Sequence, residues 1–111
     1  MKKLTLLILS ALLIYTAHSQ KDKVYSSLEE ALQNPGEVYI LSLQDKKLSS
    51  VPADVFKFPN LVTLDLSYNK ISSLPETITQ LKSLTELNLS GNKLSTLPEA
   101  VTKVTSLTEL D

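Results

Sequence analysis

The sequence contains little of what catalysis and metal binding require. Cysteine, tryptophan and arginine are absent, glycine occurs twice, and the single histidine is His18. A Ser-His-Asp triad, a zinc site and a glycine-rich phosphate loop are therefore excluded by residue type. Without cysteine there is no disulfide, so the fold depends on its apolar core. We predict no catalytic residue, no metal site and no cofactor.

The amino-terminal residues are typical of a secretory signal peptide. Residues 1–3 supply positive charge, residues 4–15 are almost entirely apolar, and residues 17–19 resemble a cleavage site. The apolar run is shorter than the roughly 20 residues that span a bilayer, which argues against an uncleaved membrane anchor. We predict a signal peptide over residues 1–19 and export to the periplasm, the cell surface or the medium. The membrane would then take part only during export.

The charge of the chain argues against nucleic acid as a partner. Removal of residues 1–19 leaves nine lysines and 12 acidic residues, a net charge of 9 − 12 = −3. Phosphate binding needs clustered lysine and arginine, and arginine is missing.

The clearest pattern is a repeat of 23 residues. Aliphatic residues and prolines recur at this spacing in four sets: Leu41, Leu64 and Leu87; Leu43, Leu66 and Leu89; Leu48, Ile71 and Leu94; and Pro52, Pro75 and Pro98. Early in each repeat apolar and polar residues alternate, as in a short strand with one buried face. After the proline, apolar residues follow at intervals of three, which predicts 3₁₀ helices or irregular turns. A fixed period of roughly 20 to 29 residues predicts a solenoid whose repeats share one core.

Residues 61–81 follow the pattern Leu-x-x-Leu-x-Leu-x-x-Asn-x-Ile-x-x-Leu-Pro-x-x-Ile-x-x-Leu, and residues 84–104 repeat it. The chain thereby resembles the typical 23-residue class of leucine-rich repeats. The resemblance implies an α/β fold, a right-handed β-α superhelix with a short parallel sheet on its concave face. It also implies that Asn69 and Asn92 form a ladder of hydrogen bonds to neighbouring turns. Repeat one departs from the pattern, because Lys46 stands at the ladder position, which puts the hydrogen bonding of that turn in question.

A capping segment is expected before the repeats. Residues 20–37 are predicted to form a loose lead-in and a short helix, which Ser27 caps while Glu30 reaches back. Three repeats occupy residues 38–60, 61–83 and 84–106, and a truncated fourth occupies residues 107–111. Since Asp111 stands in mid-strand, we expect either a longer native protein or self-association through the uncapped edge.

The residues that alternate with the strand leucines are expected on the concave face. They form two columns: Ile40, Thr63, Glu86 and Glu109, and beside it Ser42, Asp65, Asn88 and Asp111. Stacked strands lie about 4.8 Å apart, so Glu86 and Glu109 are predicted neighbours. Nothing encloses this pair, so a solvated acidic stripe is favoured over an acid/base pair or a calcium site.

Tyr68 is the predicted aromatic anchor of this surface. The predicted protein-binding residues are Ser42, Gln44, Thr63, Asp65, Ser67, Tyr68, Glu86, Asn88, Ser90 and Glu109. Because leucine-rich repeats commonly serve protein recognition, the resemblance implies a non-enzymatic, exported module that binds a protein or peptide. Three alternatives stay open: the recognition part of a larger enzyme or signalling protein, a structural spacer in a surface or adhesion protein, and a fragment without function.

Overall fold

The computed structural model describes residues 21–95 and the backbone of residues 106–109. The predicted signal peptide, the end of repeat three and Asp111 lie outside these residues. Five strands form one parallel sheet in the order β1-β2-β3-β4-β5. The strands are β1 (Val24–Tyr25), β2 (Ile40–Ser42), β3 (Thr63–Asp65), β4 (Glu86–Asn88) and β5 (Ser106–Glu109). No helix within the described residues is long and apolar enough to cross a membrane.

The register of β2, β3 and β4 follows the 23-residue period. Leu41 pairs with Leu64, and Leu64 pairs with Leu87. The side chains of all three leucines are completely buried. Because side chains alternate between the two faces of a strand, the residues on either side of each leucine lie on the opposite face. The two predicted columns are therefore confirmed across these three strands.

The prediction for the fourth strand was wrong. Glu86 pairs with Ser106, and Asn88 pairs with Glu109, with an irregularity between Leu87 and Asn88. An irregularity of this kind offsets the two strands, so the simple 23-residue spacing no longer holds. Glu109 is thus opposite Asn88 and not opposite Glu86.

The connections after the prolines are 3₁₀ helices, as the three-residue spacing predicted. They span Ala53–Lys57 and Glu76–Gln80, and a shorter one spans Pro35–Glu37. Pro52 and Pro75 immediately precede the two longer helices in extended conformation. Proline suits this position, because its missing N–H would have no partner within the first turn.

One apolar core runs through the cap and the described repeats. Repeat two contributes seven buried residues: Leu61, Leu64, Leu66, Ile71, Leu74, Ile78 and Leu81. Each such side chain contributes about 1.5–3 kcal/mol on burial, whereas ordering the backbone costs about 1–2 kcal/mol per residue. A repeat of 23 residues is therefore stable only when its neighbours cover it.

The amino-terminal cap is more ordered than the sequence predicted. The segment interpreted as a loose lead-in contains β1, which extends the sheet by one strand. Helix α1 (Leu28–Ala31) begins after Ser27, whose Oγ accepts a hydrogen bond from the Glu30 N–H (3.4 Å). The Glu30 carboxylate accepts from Lys23 Nζ (2.8 Å), where the sequence suggested that it would reach back to the start of the helix. This hydrogen bond is the main reason that the pKa of Lys23 is raised.

Candidate functional site: the exposed face of the sheet

On the side away from the core, β3 and β4 present polar residues, and Ile40 and Val24 continue the same column on β2 and β1. We call this surface the sheet face and define it by Ser42, Thr63, Asp65, Tyr68, Glu86 and Asn88. Glu86 is exposed, whereas Ser42, Thr63, Asp65 and Asn88 are half-buried. Gln44, at the end of the same side of repeat one, is also exposed. Glu109 extends the sheet beside Asn88.

Two of the predicted contact residues lie beneath this surface. Ser67 and Ser90 are only 2% and 5% exposed. The Ser67 hydroxyl donates to Asp65 Oδ1 (2.6 Å), and the Ser67 N–H donates to the same oxygen (2.9 Å). Their burial means that Ser67 and Ser90 support the sheet face and do not form part of its exposed surface.

The same arrangement recurs one repeat later. The Ser90 hydroxyl and N–H both donate to Asn88 Oδ1, at 2.8 and 3.0 Å. Across the strands, Thr63 Oγ1 donates to Glu86 Oε2 (3.3 Å). Asp65 and Asn88 are therefore oriented by buried serines, whereas Glu86 has one exposed hydrogen bond to Thr63. Side chains that are already ordered lose less entropy on binding.

Tyr68 is the large aromatic side chain of the sheet face, and it is 59% exposed. Its N–H donates to the Ser90 carbonyl (2.8 Å). The residue has a positive φ of 56°, which is uncommon for a bulky side chain. Such a conformation costs of order 1–3 kcal/mol and persists only where neighbouring structure imposes it.

Gly91 provides the space for the Tyr68 ring. It lies 23 positions after Tyr68 and also has a positive φ, of 70°. A Cβ added at Gly91 would lie 2.6 Å from Tyr68 Cδ1 and 3.0 Å from Cε1. The ring therefore lies directly on the Gly91 backbone. Sequence reasoning missed this pairing, although the 23-residue offset between the two residues would have revealed it.

The Asn69 side chain links the turns of repeats one and two by hydrogen bonds. This side chain is only 6% exposed. Oδ1 accepts from the N–H groups of Lys46 (2.9 Å) and Leu48 (3.0 Å). Nδ2 donates to the carbonyls of Leu43, Leu66 and Ser67, at 2.9, 2.9 and 3.2 Å. These bonds pair the polar backbone groups that the turn removes from the sheet.

Asn92 has the same role one repeat later. Oδ1 accepts from the Ile71 N–H (3.0 Å), and Nδ2 donates to Leu66 (2.8 Å), Leu89 (3.0 Å) and Ser90 (3.4 Å). The side-chain oxygen of each asparagine thus accepts hydrogen bonds from backbone N–H groups of the preceding turn. Repeat one follows the cap and has no such turn before it, which explains why Lys46 is accommodated there.

A groove of about 240 Å³ lies at the seam between the cap and repeat one. It is lined by Ser26, Ser27, Leu28, Leu43, Lys46, Leu48 and Pro52. None of the predicted contact residues lines it. Pockets for drug-sized ligands usually measure about 300–1,000 Å³, so the groove is small for such a ligand.

The sheet face offers hydrogen-bonding groups, two carboxylates and one aromatic ring. Within residues 21–95, no group of three or more histidines, cysteines, aspartates or glutamates could hold a metal ion. Every buried side-chain nitrogen or oxygen in the described part of the chain has a hydrogen-bond partner. The sheet face can form hydrogen bonds, ion pairs and an aromatic contact with a molecule of complementary shape and charge.

A family model for leucine rich repeats matches residues 36–94, more than half of the chain. Among solved structures, a leucine-rich-repeat protein of Leptospira interrogans is 27% identical, with a TM-score of 0.39. The match covers 79% of this chain and 34% of that protein, so the chain spans about a third of its length. No curated protein matches the sequence.

The family match agrees with the parallel sheet and with its 23-residue register. The predicted α/β repeat solenoid is therefore confirmed. Leucine-rich repeats are generally binding modules without enzymatic activity, and they commonly bind other proteins. The chain belongs to the leucine-rich-repeat family.

Proposed function

We propose that this chain is an exported, non-enzymatic module that recognises a protein or peptide through the sheet face, which is the concave side of the solenoid. The observation that carries the proposal is Tyr68, a 59% exposed aromatic side chain in a strained backbone conformation. Tyrosine is enriched among the residues that dominate binding energy at interfaces. Residues with strained backbone cluster at functional sites.

The surroundings of Tyr68 favour the same role. The ring lies on Gly91, and the neighbouring Asp65 is held by Ser67. A partner therefore meets a surface whose shape and hydrogen-bonding groups are already set, which reduces the entropy lost on binding.

The charge of the sheet face indicates the chemistry of the partner. Asp65 and Glu86 carry its charge, and no lysine is among its residues. Complementary charge favours a partner that presents lysine or arginine beside a pocket for the tyrosine ring. Association should then slow as the salt concentration rises.

Export is part of the proposal and rests on residues 1–19 of the sequence. Cell fractionation should recover the protein outside the cytoplasm. The intact mass should correspond to a chain that begins at Gln20. Cytoplasmic protein that retains Met1 would contradict export and leave the binding proposal intact.

The binding proposal is tested with an identified partner. The immobilised full chain captures candidates from its source cells, mass spectrometry identifies them, and the purified partner is titrated against each variant. Tyr68→Ala should raise the Kd by about tenfold or more, and Glu86→Ala should raise it mainly by slowing association.

Two exposed residues away from the sheet face provide matched controls. Glu76→Ala removes one carboxylate from a 3₁₀ helix, and Gln80→Ala truncates a side chain at the end of that helix. Both should leave the Kd within about twofold. Circular dichroism should be the same for all four variants. A Kd unchanged in Tyr68→Ala and Glu86→Ala would remove the sheet face as the binding surface.

A further inference from the structure

Exposed lysines in the turns that follow the strands have the same 23-residue period as the core. Lys47, Lys70 and Lys93 occupy equivalent sequence positions, and all three are exposed. Lys47 differs from the other two in its positive φ of 59°. The Lys70 N–H donates to the Leu48 carbonyl (2.8 Å), and the Lys93 N–H donates to the Ile71 carbonyl (2.9 Å). The backbone is therefore stacked turn on turn, at roughly the 4.8 Å spacing of paired strands. We call these three residues the lysine row.

Serines accompany the lysine row. Ser49, Ser72 and Ser95 each follow a lysine by two positions, and all are exposed. Between each lysine and serine lies an aliphatic residue that packs on the core; Ile71, for example, is completely buried. The lysine and the serine on either side of it therefore both face solvent. Each turn adds one ammonium group and one hydroxyl to the same surface.

The charge of the lysine row is not neutralised within the described part of the chain. The salt bridges there join Lys23 to Glu30 and Lys57 to Asp54. Like charges stacked on neighbouring turns repel one another and raise the local concentration of anions. A ligand with several linked negative charges would release more counterions than single ions would.

We propose that the lysine row binds a linear acidic polysaccharide. Such a polymer carries negative groups at regular intervals, which suits a row of ammonium groups at regular intervals. Its sugar hydroxyls can exchange hydrogen bonds with the serine hydroxyls, which both donate and accept. This site shares no residue with the sheet face.

Other polyanions fit the lysine row less well. Binding of single-stranded nucleic acid relies on aromatic side chains for stacking, and the row contains none. A membrane-binding surface exposes apolar residues that enter the lipid. Here the exposed residues two positions after the lysines are serines, and the aliphatic residues between them pack on the core.

The test compares two triple variants of the full chain that lose the same charge. Lys47→Ser/Lys70→Ser/Lys93→Ser removes the row. The control Lys21→Ser/Lys57→Ser/Lys82→Ser removes three exposed lysines elsewhere. Calorimetric titration at about 50 mM salt uses heparin as a sulfated polymer, polygalacturonate as a carboxylated polymer and dextran as a neutral one.

The parent chain should bind at least one acidic polymer and not dextran, and its affinity should fall as salt rises. The row variant should bind at least about tenfold more weakly and show a shallower salt dependence. The control variant should stay within about twofold of the parent. Circular dichroism checks that both variants fold, and single Lys70→Gln and Lys82→Gln variants repeat the comparison if a triple variant unfolds.

Several results would overturn the proposal. One is equal weakening in the two triple variants, because net charge and not the row would then govern binding. Another is absence of binding to either acidic polymer. Stronger binding to duplex DNA, or to vesicles of phosphatidylglycerol and phosphatidylcholine, would assign the row to a different ligand class. Tyr68→Ala should leave polysaccharide binding unchanged, which separates this site from the proposed function.

Discussion

Replacement of Asn69 by alanine tests the link between the 23-residue period and stability. The side chain accepts from two N–H groups and donates to three carbonyls. Two of those carbonyls keep another partner, since Asn92 also donates to Leu66 and Asp45 also donates to Ser67. Among the described residues, the N–H groups of Lys46 and Leu48 and the carbonyl of Leu43 lose their partner.

The magnitude follows from these three groups. A buried polar group without a partner costs about 1–3 kcal/mol. The surroundings of the two N–H groups are only partly buried, so we expect a loss of roughly 3–5 kcal/mol in the free energy of unfolding. Since small domains are stable by only about 5–15 kcal/mol, Asn69→Ala should lower the Tm by more than about 10 °C. Urea unfolding followed by circular dichroism measures the difference.

Two further asparagines provide graded controls. Asn92→Ala leaves the Ile71 N–H and the Leu89 carbonyl without that partner, so its effect should be about two thirds as large. Asn60→Ala removes one exposed hydrogen bond to the Gly36 carbonyl (2.7 Å) and should cost less than about 1 kcal/mol. If Asn69→Ala were no more destabilising than Asn60→Ala, the hydrogen bonds between turns would not hold the repeats together.

Three other perturbations test separate parts of the structure. Gly91→Ala should destabilise the fold by about 1–3 kcal/mol, because Gly91 has a positive φ and its new Cβ would meet the Tyr68 ring; urea unfolding measures this. Phe58→Ala, at a completely buried side chain, should cost about 3–5 kcal/mol in the same assay. The hydrogen bond to Glu30 raises the pKa of Lys23 above its ordinary 10.5. The charged Lys23 therefore stabilises the folded state below pH 10.5, and this contribution to the free energy of unfolding is lost as the pH rises further. The difference in unfolding free energy between the parent chain and Lys23→Gln should therefore shrink between pH 9 and about pH 12.

Each of these perturbations has a control. Tyr68→Ala should relieve part of the defect of Gly91→Ala, and additive effects of the two changes would show that the ring does not lie on the glycine. Phe56→Ala, at a half-buried position, should cost clearly less than Phe58→Ala. In a chain that already carries Glu30→Ala, Lys23→Gln should lose most of this pH dependence, and an unchanged pH dependence there would contradict the role of the hydrogen bond.

The repeated pattern was sufficient to predict the register of β2, β3 and β4. Leu41, Leu64 and Leu87 pair across β2, β3 and β4 as their spacing requires. The prediction succeeded because a slip by one residue would turn every one of these leucines from the core to solvent. The 3₁₀ helices after Pro52 and Pro75 followed from the same logic, since a three-residue spacing of apolar side chains fits a helix with three residues per turn.

Features outside the repeated pattern could not be predicted. Strand β1 carries no repeat signal, and it is stable only because β2 offers it an edge. The position of Glu109 depends on an irregularity that has no mark in the sequence. The sequence also could not predict that Ser67 is buried while Asp65 remains half-buried. Their hydrogen bond and their burial depend on how the side chains pack.

The sequence by itself determined which residues form the shared core, because their period fixes which side chains must leave water together. Only the tertiary structure decided which polar side chains remain exposed on the sheet face. That outcome depends on packing: Ser90 is buried, while the bare backbone of Gly91 leaves room for the Tyr68 ring at the surface. These contacts join residues about one repeat apart, and their geometry exists only once the turns have packed.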